Sequence, residues 1–576
     1  MNAAAMETLL TFVSRLLSIH GKLDTQGNER PSLLLAEGLL LKQRLRQRSR
    51  EQPIQVAIIG PTQVGKSTLV NLLLEGNYAG VSALAGFTRH AQGFCPAPLT
   101  ETIIRTAVAL LPRLERIAPG WLSQDRLDAY SLIEVSAQAS ATQPSSILWD
   151  SPDFDSVSSR EYRLTVPSLC ALADLLILVV SREKYADRSV WELLRLIAPV
   201  KPPLLIAFNK ISSESFPQLV SALRSKFELE GMPCPPIFPL PYIAEGEWGS
   251  LSACEGGRQL RQRAAEAVIR DNLLIKPLLE FHWPQWTSPL RREHEAARQW
   301  ESAVREALIE AGDHFERGYL RNPDYRETLE LALVQLLELL EIPGLAAPMQ
   351  RARHILTWPA RQIVLWLRTV SDSSTTDAST ETRVLEEGID HLFLKLQRLA
   401  GERSISAAPE EGLWWQSLWG HLHDQQRLLL ETGRGYIREH QAAFQPEIGA
   451  ASLRLFQHLQ QHPALLNSLR AARVTADVAA VILALKSGGI GLHDIFLTPA
   501  MLTFTSVLTE GAAGQFMSGI EKELKLAQAT SVQAHLLQPF ALLLDGLPQR
   551  MPGTGLFGIT PEELELAETA LRELPP

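Results

Sequence analysis

Cysteine is scarce in this chain: four among 576 residues, Cys95, Cys170, Cys234 and Cys254, far apart and with no CxxC pair. That spacing excludes a disulfide framework and argues against a zinc site; it reads as reduced core cysteines of a cytosolic protein. Long apolar runs are also missing. No stretch reaches about 18 uncharged apolar residues, so no membrane-spanning helix is expected. The N-terminus lacks a secretory pattern, because its apolar stretch is broken by Arg15 and reads as an amphipathic helix. There is no excess of positive charge: 55 Lys and Arg against 64 Asp and Glu give −9, which argues against wholesale binding to nucleic acid. No internal repeat of fixed period is found. What remains is the composition of a soluble globular protein, 45% hydrophobic and 21% charged, long enough for two or three domains.

Along the chain the hydrophobic period changes twice. Residues 7–20 place Leu9, Leu10, Phe12, Val13, Leu16 and Leu17 at helical spacing, and 32–48 read as a second helix ending in Lys42, Arg44, Arg46, Arg48 and Arg50. That basic end reads as a solvated helix terminus favoured by the dipole, with a nucleic-acid or lipid patch as the alternative. From 54 to about 245, short apolar runs (QVAIIG, SSILWDSP, ADLLILVVS, PPLLIAFNK) alternate with amphipathic helices. Such alternation predicts an α/β domain with a mainly parallel sheet and helices on both faces, whose ligands lie at the carboxyl ends of the strands. From about 257 onward strand signals vanish. Leucine-rich helical patterns over 257–280, 292–315, 324–341, 383–400, 412–444, 452–470 and 518–545 predict a large all-α helical bundle. The polar stretch 371–382 reads as a linker.

The stretch GPTQVGKST, residues 60–68, follows the run IQVAII and precedes STLVNLLLEG. A strand, then G-x-x-x-x-G-K-S, then a helix is the context of a phosphate-binding loop. Gly60 and Gly65 let backbone N–H groups face phosphates, with Thr62, Gln63, Val64 and Thr68 completing the loop. Lys66 supplies a charge to the β- and γ-phosphates, and the Ser67 hydroxyl suits Mg²⁺. Later strands end in further candidates. Asp150 in WDSPDFDS can hold Mg²⁺ through water. Asn209 and Lys210 in AFNK can face a guanine, the Asn on its edge and the Lys stem over its ring. Between them, GFTRHAQGF offers Thr88 as a ligand of Mg²⁺ and the γ-phosphate, with Arg89 beside it. Lys66, Thr88 and Gln63 are the catalytic candidates; Ser67, Thr88 and Asp150 are the metal candidates.

In this order, GPTQVGKST, FTR, DSPDFDS and FNK resemble the first four nucleotide-binding elements of a Ras-like GTPase domain. Two helices before that domain and a long helical part after it resemble the layout of bacterial dynamin-like proteins. The resemblance implies an α/β P-loop GTPase domain over 53–256, with helices of 1–52 packing on a helical neck and trunk built from 257–576. It implies GTP and GDP as ligands, Mg²⁺ as cofactor, and a nucleotide-dependent homodimer. No specific nucleic-acid partner is expected. The chain departs from the family pattern at two places. The third element normally reads D-x-x-G, its glycine N–H meeting the γ-phosphate; here Asp153 stands in that position. The fourth normally reads N-K-x-D, its acid binding guanine N1 and N2; here Ser212 stands in that position, with Glu214 as a possible substitute. Gln63 occupies a place where cation-dependent relatives often carry Ser or Asn. These changes are compatible with slow hydrolysis or with binding alone.

Two segments of the helical region carry lipid-like chemistry. Residues 342–370 contain no acid but hold Arg351, Arg353, Arg361, Arg368, His354, Trp358 and Trp366, a combination suited to anionic headgroups. Residues 488–517 include a glycine-interrupted apolar stretch with Phe496 and Leu497, suited to shallow insertion. Both are expected as tips of the bundle that meet an anionic lipid membrane, peripherally and on its cytoplasmic side. The alternatives are burial inside the bundle, a ribosome- or RNA-associated GTPase docking through the arginines, and a nucleotide-binding scaffold without turnover.

Overall fold

Strands form where apolar residues run without interruption, and they lie side by side. The computed structural model describes residues 3–23, 30–48, 52–80, 90–119, 129–136, 146–154, 165–212, 214–243, 248–266, 274–322, 327–341, 379–463, 466, 511–551 and 558–575. After helices α1 (Ala3–Leu23) and α2 (Arg30–Arg48) the chain runs β1 (Ile54–Ile59), α3 (Lys66–Leu74), β2 (Ala91–Pro96), α4 (Glu101–Leu110), β3 (Glu115–Arg116), β4 (Ala129–Val135), β5 (Ser146–Asp150), α5 (Thr165–Leu172), β6 (Leu175–Ser181), α6 (Arg188–Ile197), β7 (Leu204–Asn209), α7 (Phe216–Leu229), β8 (Ile237–Pro239), α8 (Trp248–Ala253) and α9 (Glu255–Ala265). The eight strands make one sheet in the order β3-β4-β2-β5-β1-β6-β7-β8. All pairs are parallel except β2 with β5.

The period of two sorts the strands' side chains onto two faces. Ala57, Ile59, Trp149, Leu176, Leu178, Ile206 and Phe208 join one core with helices α2, α5 and α6. Val56, Ile58, Leu148, Ile177, Val179 and Ala207 join another with α3 and α9. Helices therefore cover both faces, as the near-continuous apolar runs predict.

The chain divides into two compact units, Met1–Arg291 with Phe557–Pro576, and Arg292–Leu556. This differs from a division at 256, and it places α1 and α2 with the sheet. In that unit α1 packs on α2, on the start of α10 (Ile275–Phe315), where Phe12 stacks on Trp283 at 5.3 Å, and on the last helix of the chain. The N-terminal helices thus meet late parts of the chain within the sheet-bearing unit itself. The basic end of α2 is only partly a solvated terminus: Arg48 is exposed, and Arg50 lies outside the described residues. Lys42 is buried, its Nζ 2.7 Å from Asp174 and 2.6 Å from the Ala173 carbonyl, while Arg46 pairs with the same Asp174 and Arg44 with Glu7. Cys95 and Cys170 are core residues, but Cys234 is exposed, and Cys254 caps α9 by accepting from the Gly257 N–H.

In the second unit α10 continues, followed by α11 (Glu327–Glu341), α12 (Thr380–Ser406), α13 (Pro409–Gln461), α14 (Gly511–Val532) and α15 (Gln538–Asp545); α16 (Pro561–Arg572) returns to the first unit. Three prolines lie inside helices: Pro284 and Pro289 in α10, Pro446 in α13. Each removes a backbone donor, yet the helices run on. Around the α10 prolines, Trp283, Trp286 and Leu290 are all buried, and that burial outweighs the lost bonds. The two cores of this unit centre on Trp300, Phe393, Trp414, Trp415 and Phe540, and on Leu336, Phe444, Ile448 and Leu524. Among the described residues no helix is long and apolar enough to cross a membrane.

Candidate functional site

β1 ends in a turn that only glycine can make. Gly65 caps α3 with φ 93°, and a Cβ there would lie 2.4 Å from Asn209 Nδ2. A Cβ on Gly60 would lie 2.5 Å from the Val179 carbonyl oxygen. Gln63 too has a left-handed backbone, φ 62°. The loop so formed exposes Gln63, half-buries Thr62, Ser67 and Thr68, and buries Val64 and Lys66. Its backbone leads into the N-terminus of α3, where unpaired N–H groups and the helix dipole favour an anion.

Strand pairing brings the acid to this loop. Asp150, at the end of β5, stands beside Ile58 of β1, and its Oδ2 accepts from the Ser67 hydroxyl at 2.7 Å. Asp150 Oδ1 is buried without a hydrogen-bond partner. Burial pushes this carboxyl up to about 6, with Asp153 adding to the shift while Lys66 and the Ser67 hydroxyl oppose it. A buried orphan carboxylate oxygen next to a hydroxyl is an oxygen donor set, which fits Mg²⁺. Lys66 donates to the carbonyls of Gly60 and Pro61, both at 3.0 Å, and forms an ion pair with Asp153.

β7 delivers Asn209 and Lys210 to the loop. Asn209 is buried and its Nδ2 donates to the Val64 carbonyl at 2.8 Å, while the Lys210 Nζ donates to the Gln63 carbonyl at 2.7 Å from a backbone at φ 60°. The two ends of the site are thus tied through the phosphate loop itself. Ser212 is exposed and its hydroxyl lies 2.7 Å from that of Ser215. Glu214 is exposed as well.

The structure therefore gathers Gly60 to Thr68, Asp150, Asn209 and Lys210 at the carboxyl ends of β1, β5 and β7, with Ser212 just beyond β7. Thr88 and Arg89 lie outside the described residues, as do Arg351, Arg353, His354, Trp358, Arg361, Trp366, Arg368, Phe496 and Leu497. The partner of Asp153 was not visible in the sequence. The signal was an acid where a glycine is usual, but only the fold places it against Lys66.

Residues 55–106 match the family described as 50S ribosome-binding GTPase. The first unit carries a P-loop GTPase fold. No curated protein matches the chain. Among solved structures, the GTPase-bearing chain is similar to a bacterial dynamin of an oligomerised pair described as sensing and tethering membranes, at 12% identity and TM-score 0.37 over 96% of this chain and 95% of that one. It is similar to LeoA, a bacterial dynamin GTPase from ETEC, at 12% identity and TM-score 0.24 over 99% and 93%. It is also similar to Aquifex aeolicus Era bound to GDP and aluminium fluoride, at 16% identity and TM-score 0.24, covering 38% of this chain and 58% of Era.

Proposed function

We propose that this protein is a dynamin-like GTPase that binds GTP and GDP with Mg²⁺, hydrolyses GTP, and couples nucleotide state to self-association and to binding at an anionic membrane surface. The observation that carries the nucleotide part is the Ser67–Asp150 hydrogen bond next to buried Lys66, on a loop whose other side is bonded by Asn209 and Lys210. In this reading Lys66 and the loop N–H groups hold the phosphates, and Ser67 and Thr88 reach the metal directly, with Asp150 supporting it through water. Asn209 and Lys210 orient the guanine. Bound Mg²⁺ neutralises charge on the phosphate oxygens. Gln63, at the exposed tip of the loop, is the remaining candidate for positioning near the γ-phosphate.

The membrane part rests on residue chemistry. Four arginines with two tryptophans over 342–370 supply charge and interfacial rings, and the apolar 488–517 stretch with Phe496 and Leu497 supplies insertion area; stable peripheral binding needs both signals. The test combines calorimetry with GTP, GDP and ATP, phosphate release, and sedimentation with anionic vesicles in each nucleotide state. Guanine-selective binding with Mg²⁺-dependent phosphate release is the expected result. Equal affinity for ATP and GTP overturns the base assignment. Failure to pellet with anionic vesicles in any nucleotide state overturns the membrane half alone.

A further inference from the structure

Lys66 has three N–H donors, and all three are used: two on the carbonyls of Gly60 and Pro61, the third on Asp153 Oδ1. Lys66 is 5% exposed and Asp153 9%, so water and salt screen this pair little. The carboxylate is also held from both sides along the chain. Ser151 N–H donates to the Ile58 carbonyl at 3.2 Å, extending the β1–β5 ladder. On the other side Phe154 is 5% exposed and belongs to the main core of the first unit. Asp153 is therefore fixed over the lysine by its neighbours' burial.

We infer that Asp153 determines how many phosphates the site accepts, its carboxylate standing on Lys66 where a γ-phosphate would, so that the pocket favours guanosine diphosphate over the triphosphate. This rests on the nucleotide reading above. The physical reason is competition between two anions for one ammonium. A β-phosphate can use the loop N–H groups and share Lys66. A γ-phosphate must take the Asp153 position or sit beside it, and two like charges that close in a buried site repel strongly. The usual glycine of the third element offers a γ-phosphate an N–H and no charge; an aspartate opposes it. The carboxylate thus acts on the triphosphate specifically, whereas a merely structural ion pair would affect both nucleotides alike.

The test uses the full chain and two variants, Asp153→Gly and Asp153→Asn, titrated calorimetrically with GDP and with a non-hydrolysable GTP analogue in Mg²⁺. The wild type is expected to bind GDP about tenfold or more tighter than the analogue, and both variants to move that ratio about tenfold toward the analogue. Asp153→Asn keeps the size and loses the charge, so it carries the test should the glycine variant lose its fold in a melting scan. A ratio unchanged within twofold in the folded variants overturns the inference and leaves nucleotide binding standing. So does a wild type that prefers the triphosphate. A wild type and variants that bind neither nucleotide overturn the nucleotide reading, and the inference with it.

Discussion

Each unit holds a cluster of buried polar groups, and the two clusters differ. In the first, they gather at strand ends around one loop, where Asp150 Oδ1 is left without a partner and Ser67, Lys66 and Asp153 crowd against it. In the second, they link several helices, although Glu327 Oε2 and Asp545 Oδ1 of that unit are also buried without a partner. Tyr319 donates to Thr328 at 3.1 Å, Thr328 to Gln528 at 3.0 Å, and Gln528 to Glu381 at 2.6 Å. His440, wholly buried, belongs to the same cluster: Nε2 lies 2.9 Å from Glu381 and Nδ1 2.9 Å from Ser531. An ionised carboxylate only accepts, so Nε2 donates toward Glu381, and Ser531 meets the other ring nitrogen. A network whose members satisfy one another specifies packing. The first cluster leaves its carboxylate oxygen over beside a phosphate-loop motif.

The contrast is tested most severely by removing one member from each. Lys66→Ala should weaken nucleotide binding about 100-fold or more, roughly 3 kcal/mol, because the phosphates lose a buried charge; calorimetry reads it, and unchanged affinity would remove the site. Glu381→Ala should do the reverse. Gln528 and His440 are then left without their shared acceptor inside a core, which costs roughly 2–3 kcal/mol of stability, read by denaturant unfolding, while nucleotide affinity stays within twofold. Loss of nucleotide affinity in that variant would break the distinction drawn here.

A third substitution asks whether buried charge in the first unit is always ligand-directed. Lys42 sits among α2 and Asp174, far in function from the phosphate loop, and burial lowers its ammonium to about 8 from the ordinary 10.5, with Asp174 opposing the shift and Arg46 adding to it. Between pH 8 and 10.5 the unfolded chain therefore holds more protons than the folded one, and stability rises with pH across that window. Because the ammonium is the form that the fold disfavours, Lys42→Met should leave stability at pH 7 within about 1 kcal/mol of wild type, with Arg46 still facing Asp174. It should also abolish that rise, measured as the difference from wild type in melts at pH 8 and 10.

The sheet and the phosphate loop were legible because both are local: IQVAII followed by G-x-x-x-x-G-K-S fixes a strand, a glycine turn and a helix within twenty-one residues, 54–74. The pairing of Asp150 with Ser67 was legible by motif order alone. Other features depended on partners far along the chain. Lys42 read as a solvated helix end because Asp174, which buries it, is 132 positions away. Asp153 read as a departure compatible with slow hydrolysis or binding alone, but its partner Lys66 became visible only in the fold. The leucine patterns stop at 280 and 444 and resume at 292 and 452, yet α10 and α13 run through both gaps; the burial of Trp283 and Trp286 that holds α10 together there was not visible in the sequence.

The smallest effect is expected at the base side, where the site is most open. Ser212 stands where an acid would bind the guanine N1 and N2 donors, and its hydroxyl is engaged with Ser215 at 2.7 Å. Ser212→Asp adds a charged acceptor, but at an exposed position, where water competes for the same bonds and lowers their worth. The gain for guanine over adenine nucleotides should therefore be about fivefold to tenfold, near 1 kcal/mol, in a competition assay. Asn209 and Lys210 are bonded to the phosphate loop through Val64 and Gln63, so they hold the base site's frame whether or not the acid is present. That makes Ser215→Ala the sharpening control. It removes the competitor for the Ser212 hydroxyl without adding charge, and should raise guanine preference by less than Ser212→Asp does. If Ser212→Asp leaves the guanine-to-adenine ratio unmoved, the base does not lie over Asn209 and Lys210, and the open end of the site belongs to another ligand.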